Sequence, residues 1–182
     1  QQHSWTKQPQ ITFLANPYSV HVGLWCKAAA ECRIPVQIET ASRPRDEQPP
    51  GATIEHRAPD WLLGPNTLRY LWMAVANRFR RRRPGEIVHA HCTSGNGFVA
   101  WFSGAPYILT TYGTEVMLAD RRGRIFAWMI GRILRKAERL TASSTEMVDE
   151  LTGRHNIPRE RIHLFDLGIE QDVFCPLDSD RR

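Results

Sequence analysis

Cysteine is scarce and scattered in this chain. Cys26, Cys32, Cys92 and Cys175 form no C-x-x-C pair, which argues against a zinc site and leaves no disulfide framework. A reducing cytoplasm is the simplest home for such a set. No apolar run approaches the ~20 residues of a spanning helix. No signal-peptide pattern opens the chain. Residue 1 is Gln rather than Met, which points to ends set by processing or by a choice of boundaries. No internal repeat is visible. The fingerprint G-x-G-x-x-G is absent after the first expected strand, where the text is ANPYSVHVGLW, so a dinucleotide-binding dehydrogenase is disfavoured.

What is present is an ordinary globular composition with a basic excess. The hydrophobic fraction is 42%, and 182 residues suffice for one domain with a real core. The net charge of +5 favours anionic partners such as phosphates or acidic lipid. Nucleic acid is disfavoured, because the aromatic-basic interleaving of a single-strand binder is missing.

Strands alternate with helices along the chain. Residues 1–9 read as a disordered tail. Strands are expected at Gln10–Ala15, Pro35–Thr40, Thr53–Ala58, Ile87–His91, Tyr107–Thr111, Arg139–Ser143 and Ile162–Leu167. Ser19 is placed to cap a helix over Val20–Cys32, Asn66 to cap the next, and Ser144 or Thr145 to cap a helix reaching about His155. The segment Thr67–Arg83 has the clearest helical period, with Leu68, Leu71, Trp72, Val75, Ala76 and Phe79 on one stripe. Pro84-Gly85 stops it, and Arg78 with Arg80–Arg83 suits its carboxyl-terminal dipole. This alternation predicts an α/β fold: a Rossmann-like parallel sheet with helices on both faces, in order 3-2-1-4-5-6.

The stretch EIVHAHCTSGNGFVAWFSGAPYILTTYGTEV, residues 86–116, organises the rest. Two strands each run into a polar loop, and open parallel sheets bind ligands beyond such strand ends. His89 and His91 share one side of their strand. His91 lies nearer the crevice, and His89 reads as a core histidine. Gly95 and Gly97 permit close backbone approach. In the first loop, Asn16, Ser19 and His21 surround a helix start that suits an anion. In RRGRIFAWMIGRILRKAERL, residues 121–140, about 100° per residue gathers Ile125, Phe126, Met129, Ile130, Ile133 and Ala137 on one face. Arg124, Arg132, Arg135, Lys136 and Arg139 gather opposite, around Trp128. Such a face suits an anionic membrane surface; the alternative is a solvated face with one exposed Trp.

The order of VHAH, a helix, a strand, GTE and the later GIEQDVFCP resembles the amino-terminal half of family-4 glycosyltransferases of the GT-B fold, from about Ile11 to Pro176. The resemblance implies a Rossmann-like acceptor-side domain over 10–175 and a linker remnant over 176–182. It implies retaining hexosyl transfer from a nucleotide sugar to a lipid-linked or polysaccharide acceptor, in bacterial envelope synthesis at the cytoplasmic membrane face. It places the donor in a carboxy-terminal domain that these residues lack, so that no cofactor binds here and the chain alone is inactive. It implies no metal, since members neutralise the leaving diphosphate with side chains and helix amino termini. Tyr112, Gly113, Thr114 and Glu115 fall where the family usually has His-Gly-Thr-Asp. Tyr112 departs from that pattern, and a phenol does not titrate near neutrality. His91, Tyr112 and Glu115 are the expected catalytic residues. Asn16, Ser19, His21, Gly95, Gly97, Gly113 and Thr114 are the expected substrate contacts. A non-catalytic subunit that holds acceptor or membrane for a separate enzyme is the alternative.

Overall fold

The first strand, β1 (Gln10–Leu14), is central because its neighbours on both sides are crossover strands. A computed structural model describes residues 10–46, 49–62, 66–166 and 168. Around β1 lie β2 (Val36–Thr40), β3 (Ala52–His56), β4 (Glu86–His91), β5 (Ile108–Thr111), β6 (Arg139–Ala142) and β7 (Ile162–Leu164). All pair in parallel, in the order β3-β2-β1-β4-β5-β6-β7. The chain reverses its direction of travel between β1 and β4. That switch point opens a crevice beyond their carboxyl ends. The expected order holds and gains β7 at one edge. The 1–9 tail, the 176–182 linker and Leu167 lie outside the described residues.

Side-chain alternation splits the core in two. Phe13 and Ile38 point toward α1 (Val20–Glu31) and pack with Val22, Cys26 and Ala29. Leu14, Ala90 and Leu109 point the other way, into a cluster with Met73, Val99, Ile130 and Ile133. Those come from α2 (Asn66–Phe79), α3 (Asn96–Ser103) and α5 (Arg124–Lys136). A short helix, α4 (Thr114–Met117), and a 3-10 turn at Ala119–Arg122 join β5 to α5; neither is marked by the sequence pattern. The last helix is α6 (Thr145–Gly153), and its Ser144 hydroxyl caps Met147 N–H. Ser19 occupies the cap position of α1, but its hydroxyl makes no capping bond and only its carbonyl accepts, from Gly23 N–H at 3.0 Å. Asn66 is the first residue of α2 rather than its cap.

Two sequence expectations are overturned. The apolar stripe of α2 does not face the sheet. Leu68, Leu71, Trp72, Val75 and Phe79 are exposed, Phe79 to 81%. The buried side is instead Arg69, Met73, Ala74 and Asn77. Arg69 explains the rotation: its guanidinium donates to the carbonyls of Ala41 at 2.6 Å and Pro59 at 3.1 Å, closing loops that otherwise lack donors. The second correction concerns the arginines. The helix ends at Phe79, so Arg80–Arg83 do not serve its dipole. Arg80 bridges Glu39 at 2.9 Å and Glu86, while Arg82 reaches Glu86 at 3.1 Å and Asn77.

Glu39 is fully buried in β2, and Arg57 also pairs with it at 2.9 Å. Burial alone would raise the Glu86 carboxyl. Hydrogen bonds from Arg80, the Arg83 amide and Thr12 overcome that and hold its pKa at about 2. Removing one partner of such a group leaves charge stranded in low dielectric. Arg80→Met is therefore expected to cost roughly 3 kcal/mol in urea unfolding. A cost under about 1 kcal/mol would mean that Arg57 and Arg82 suffice without it.

Candidate functional site at the strand ends

The crevice is built from the loops that follow β1, β4 and β5. Beyond β4 the backbone is strained: Cys92 is a non-glycine residue at φ 75°. Its carbonyl accepts from Gly97 N–H at 2.9 Å, which starts α3. Beyond β5, Gly113 stands at φ 72°, ψ −82°, with Thr114 N–H donating to the Tyr112 carbonyl at 2.9 Å. That is a γ-turn of the rare hand, which glycine alone adopts at low cost.

Glu115 ties the two loops together. Its carboxylate accepts from Thr93 N–H at 2.7 Å, from Ser94 N–H at 2.9 Å and from the Ser94 hydroxyl. Charge-assisted bonds of this kind are among the stronger ones in proteins. The carboxylate is thus engaged within the protein and positions the 93–94 loop.

Behind this clasp lies a stack of rings. His89 and His91 stack at 4.4 Å between centroids, and Phe13 and Trp25 meet both edge-on. His91 and Tyr112 share a hydrogen bond of 2.9 Å from Nδ1 to the phenol oxygen. His21, exposed, stacks on Tyr112 at 5.1 Å. His89 bonds Thr110 at 2.7 Å, and Thr141 donates on to the same hydroxyl. His89 is the core histidine expected. His91, by contrast, is not open to the crevice: it is only 1% exposed. Burial, with His89 and His21 adding to it, holds His91 well below the ordinary histidine range. Burial likewise pushes the Tyr112 phenol far up, so it stays protonated.

Three buried polar atoms here have no protein partner: His91 Nε2, Thr93 Oγ1 and Asn96 Oδ1. Buried polar groups are almost always paired, so each of these atoms is a place for an ordered water. Thr93, Ser94 and Asn96, whose Nδ2 donates to the His91 carbonyl at 2.8 Å, were not singled out by the sequence. Their position in the polar turn after β4 was the available signal. His91 is neutral, Tyr112 protonated and Glu115 engaged within the protein, while the exposed His21 ring stands on Tyr112 at the rim.

The other expected residues fall in three groups. Asn16 accepts from Tyr18 N–H and the Ser42 hydroxyl, and with Ser19 and His21 it rims the crevice. Gly97 is buried, and a Cβ there would meet the Cys92 carbonyl at 3.0 Å and Ile133 at 3.2 Å, so helix packing accounts for it. Gly95 lies under the Tyr70 ring, where a Cβ would come within 2.8 Å. Thr114 is exposed at the start of α4. The expected cations lie away from the rings and do not share one helix face: Arg124, Arg132, Arg135 and Lys136 are on α5, but the helix ends at Lys136 and Arg139 opens β6. All five are exposed, and Arg132 stands over the Trp128 ring at 5.8 Å. Ile125 was expected in the core and is 85% exposed, because the first turn of α5 rests on the 3-10 turn rather than on the sheet. Among the described residues, no three His, Cys, Asp or Glu side chains gather as metal ligands, and no helix is long and apolar enough to cross a membrane.

The pattern of the glycosyl transferase 4-like domain matches residues 18–168. The chain belongs to this glycosyltransferase family. A Bacillus subtilis (strain 168) protein described as a glycosyltransferase, EpsF, is 30% identical over 110 residues, which are 56% of this chain and 28% of that protein. The chain thus matches under a third of that relative's length. A solved piece of sucrose-phosphate synthase from Thermosynechococcus elongatus superposes with a TM-score of 0.62 at 14% identity, over 90% of this chain and 92% of that one. The fold is therefore the Rossmann-like α/β fold found in GT-B glycosyltransferases.

The buried histidines give this family member an acid response. An unfolded histidine protonates near pH 6.5. Burial lowers His89 to about 4, and lowers His91 and His155 as well. Below pH 6.5 the unfolded chain therefore binds more protons than the folded one, and stability falls as pH drops toward 4. Each such histidine contributes a slope of up to about 1.4 kcal/mol per pH unit. His89→Gln keeps a partner for Thr110 without titrating. It is expected to remove about one proton from the slope of urea stability between pH 6 and 4.5; an unchanged slope would show that His89 is already charged when folded.

Proposed function

We propose that the chain is the acceptor-binding half of a glycosyltransferase that moves a hexose from a nucleotide-sugar donor to a lipid-linked or polysaccharide acceptor of the bacterial envelope. The observation that carries this is the pair of polar loops after β4 and β5, clasped by Glu115 at the switch point of the sheet. Sugar hydroxyls are both donors and acceptors, so such loops can bind them. His21 and Tyr112 add ring surface at the rim. In this reading the donor is bound by a second Rossmann-like domain outside the described residues, and reaction proceeds with retention. Tyr112 serves as a hydrogen-bond donor where other members place histidine. The burial of His91 and the engagement of Glu115 within the protein favour a second reading, a non-catalytic subunit that holds acceptor for another enzyme.

The domain lies on the cytoplasmic face of the membrane in this proposal. The exposed cations of α5, with Trp128 and Ile125 among them, meet anionic headgroups; Trp101, Arg132, Arg135 and Lys136 line a shallow cleft of about 310 Å³ there. Each cation near an anionic bilayer contributes roughly 1 kcal/mol, decaying within a Debye length.

Nucleoside-diphosphate release from a panel of nucleotide sugars, with bacterial envelope extract as acceptor, separates the readings. The protein carrying both halves should release it and the 182 residues alone should not. Tyr112→Phe and Glu115→Gln should each lower release at least ~10-fold, about 1.4 kcal/mol of transition-state stabilisation. Full activity in both variants at unchanged stability would move the site elsewhere. Release that requires a separate protein would favour the subunit reading.

For the membrane, co-sedimentation is expected with phosphatidylglycerol vesicles, with little binding to phosphatidylcholine and loss in high salt. Arg132→Glu combined with Arg135→Glu should abolish it, and Trp128→Ala should weaken it without altering the salt response. Equal binding to both vesicle types, or to neither, rules the face out as a membrane contact.

A further inference from the structure

A groove of about 540 Å³ runs between α2 and α5. Tyr70, Leu71, Phe98, Phe126 and Met129 form most of its lining. Its end at Ser94 and Gly95 is the loop that Glu115 holds. Groove and crevice share a wall, because the Tyr70 ring packs directly on Gly95. Burial first, then Cys92 and Glu115, raise the Tyr70 phenol.

We propose that this groove holds the hydrocarbon chain of an amphiphilic, phosphate-bearing acceptor, with the chain between α2 and α5 and the sugar-accepting end at Ser94 and Glu115. The proposal rests on the acceptor-side reading and narrows the acceptor to a lipid-linked one.

Three observations select this occupant. First, Leu71, Phe98, Phe126, Met129 and the Tyr70 ring give the lining a mainly apolar surface, while Asn66, Thr67 and Ser94 supply its polar groups, the mixed character an amphiphile needs. Second, a cation waits at the edge: the Arg122 guanidinium stands over the Phe126 ring at 5.3 Å, and Arg124 begins α5. A lipid phosphate is the complement of an apolar slot edged by arginine. Third, the groove opens onto the outward stripe of α2. Leu71 lines it and is itself half exposed, and Leu68, Trp72 and Val75 carry apolar surface onward, with Trp61 edge-on to Trp72 at 6.0 Å. A chain can therefore pass from a lipid surface into the groove without crossing polar ground. Contiguous exposed apolar side chains of this kind mark interaction sites on soluble domains.

The test is calorimetry of alkyl phosphates below their micelle thresholds, with the folded state of each variant checked by thermal melting. Each buried methylene tightens binding roughly fourfold. Dodecyl phosphate is expected to bind at least tenfold more tightly than octyl phosphate, and butyl and inorganic phosphate hardly at all. Leu71→Glu, at an exposed helical position, should weaken dodecyl phosphate at least tenfold. Phe79→Glu, on the same helix outside the groove, should leave it unchanged. Equal affinity across chain lengths, no binding of dodecyl phosphate, or equal loss in the two variants would overturn the proposal. So would a dimer in sedimentation velocity that Leu71→Glu dissociates, which would assign the groove to a second copy. No donor is needed, so the outcome is independent of turnover. Chain binding without diphosphate release would leave the groove and remove the enzyme reading; release onto a lipid-free acceptor with no chain binding would do the reverse.

Discussion

The carboxylate of Glu115 holds the crevice in one shape. The turn after β4 has two backbone amides, Thr93 and Ser94, with no strand partner at that point, and the charged acceptor from the next loop supplies one. Without it the two loops would have to find water. The strain on either side becomes intelligible in this light. Cys92 directly after β4 and Gly113 two residues after β5 both take positive φ, so that the chain bends sharply enough for the loops to meet. Such strain costs of order 1–3 kcal/mol per non-glycine residue and persists only where surrounding bonds over-determine it.

The ring stack under this clasp is a second constraint. Two histidines in one strand, on one face, cannot both be charged at 4.4 Å between centroids and buried. Their neutrality follows from packing, with Phe13 below and Trp25 alongside. A neutral His91 has one nitrogen engaged by Tyr112 and the other without a partner. The ring stack thereby holds polar atoms without holding charge.

The fold was legible in the sequence because a parallel sheet writes itself in apolar runs of regular spacing. Strand order followed from alternation and handedness, and the ends of β1, β4 and β5 were within a residue of expectation. The candidate site was legible as a place, since polar residues cluster after β4 and β5. Its inner arrangement was not. Whether Glu115 points at a ligand or at Thr93 depends on a contact 22 positions away, which no local pattern carries. His91 looked open because it ends a strand, yet Trp25 from α1 closes over it. The helix α4 and the 3-10 turn went unseen because each is too short to show a period.

Helix α2 shows a different limit. Periodicity identifies a helix and its apolar side, but it cannot say whether that side meets the sheet or the outside. Here the assignment is reversed by Arg69. Its guanidinium must reach the carbonyls of Ala41 and Pro59, and that geometry turns Met73 and Ala74 inward with it. The larger stripe is left outside, against solvent that does not favour it. The neighbouring helix repeats the pattern, since Ile125 and Trp128 are outward while Ile130 and Ile133 fill the core. A helix that meets the core through Arg69, Met73, Ala74 and Asn77 leaves its leucines and tryptophan on the surface.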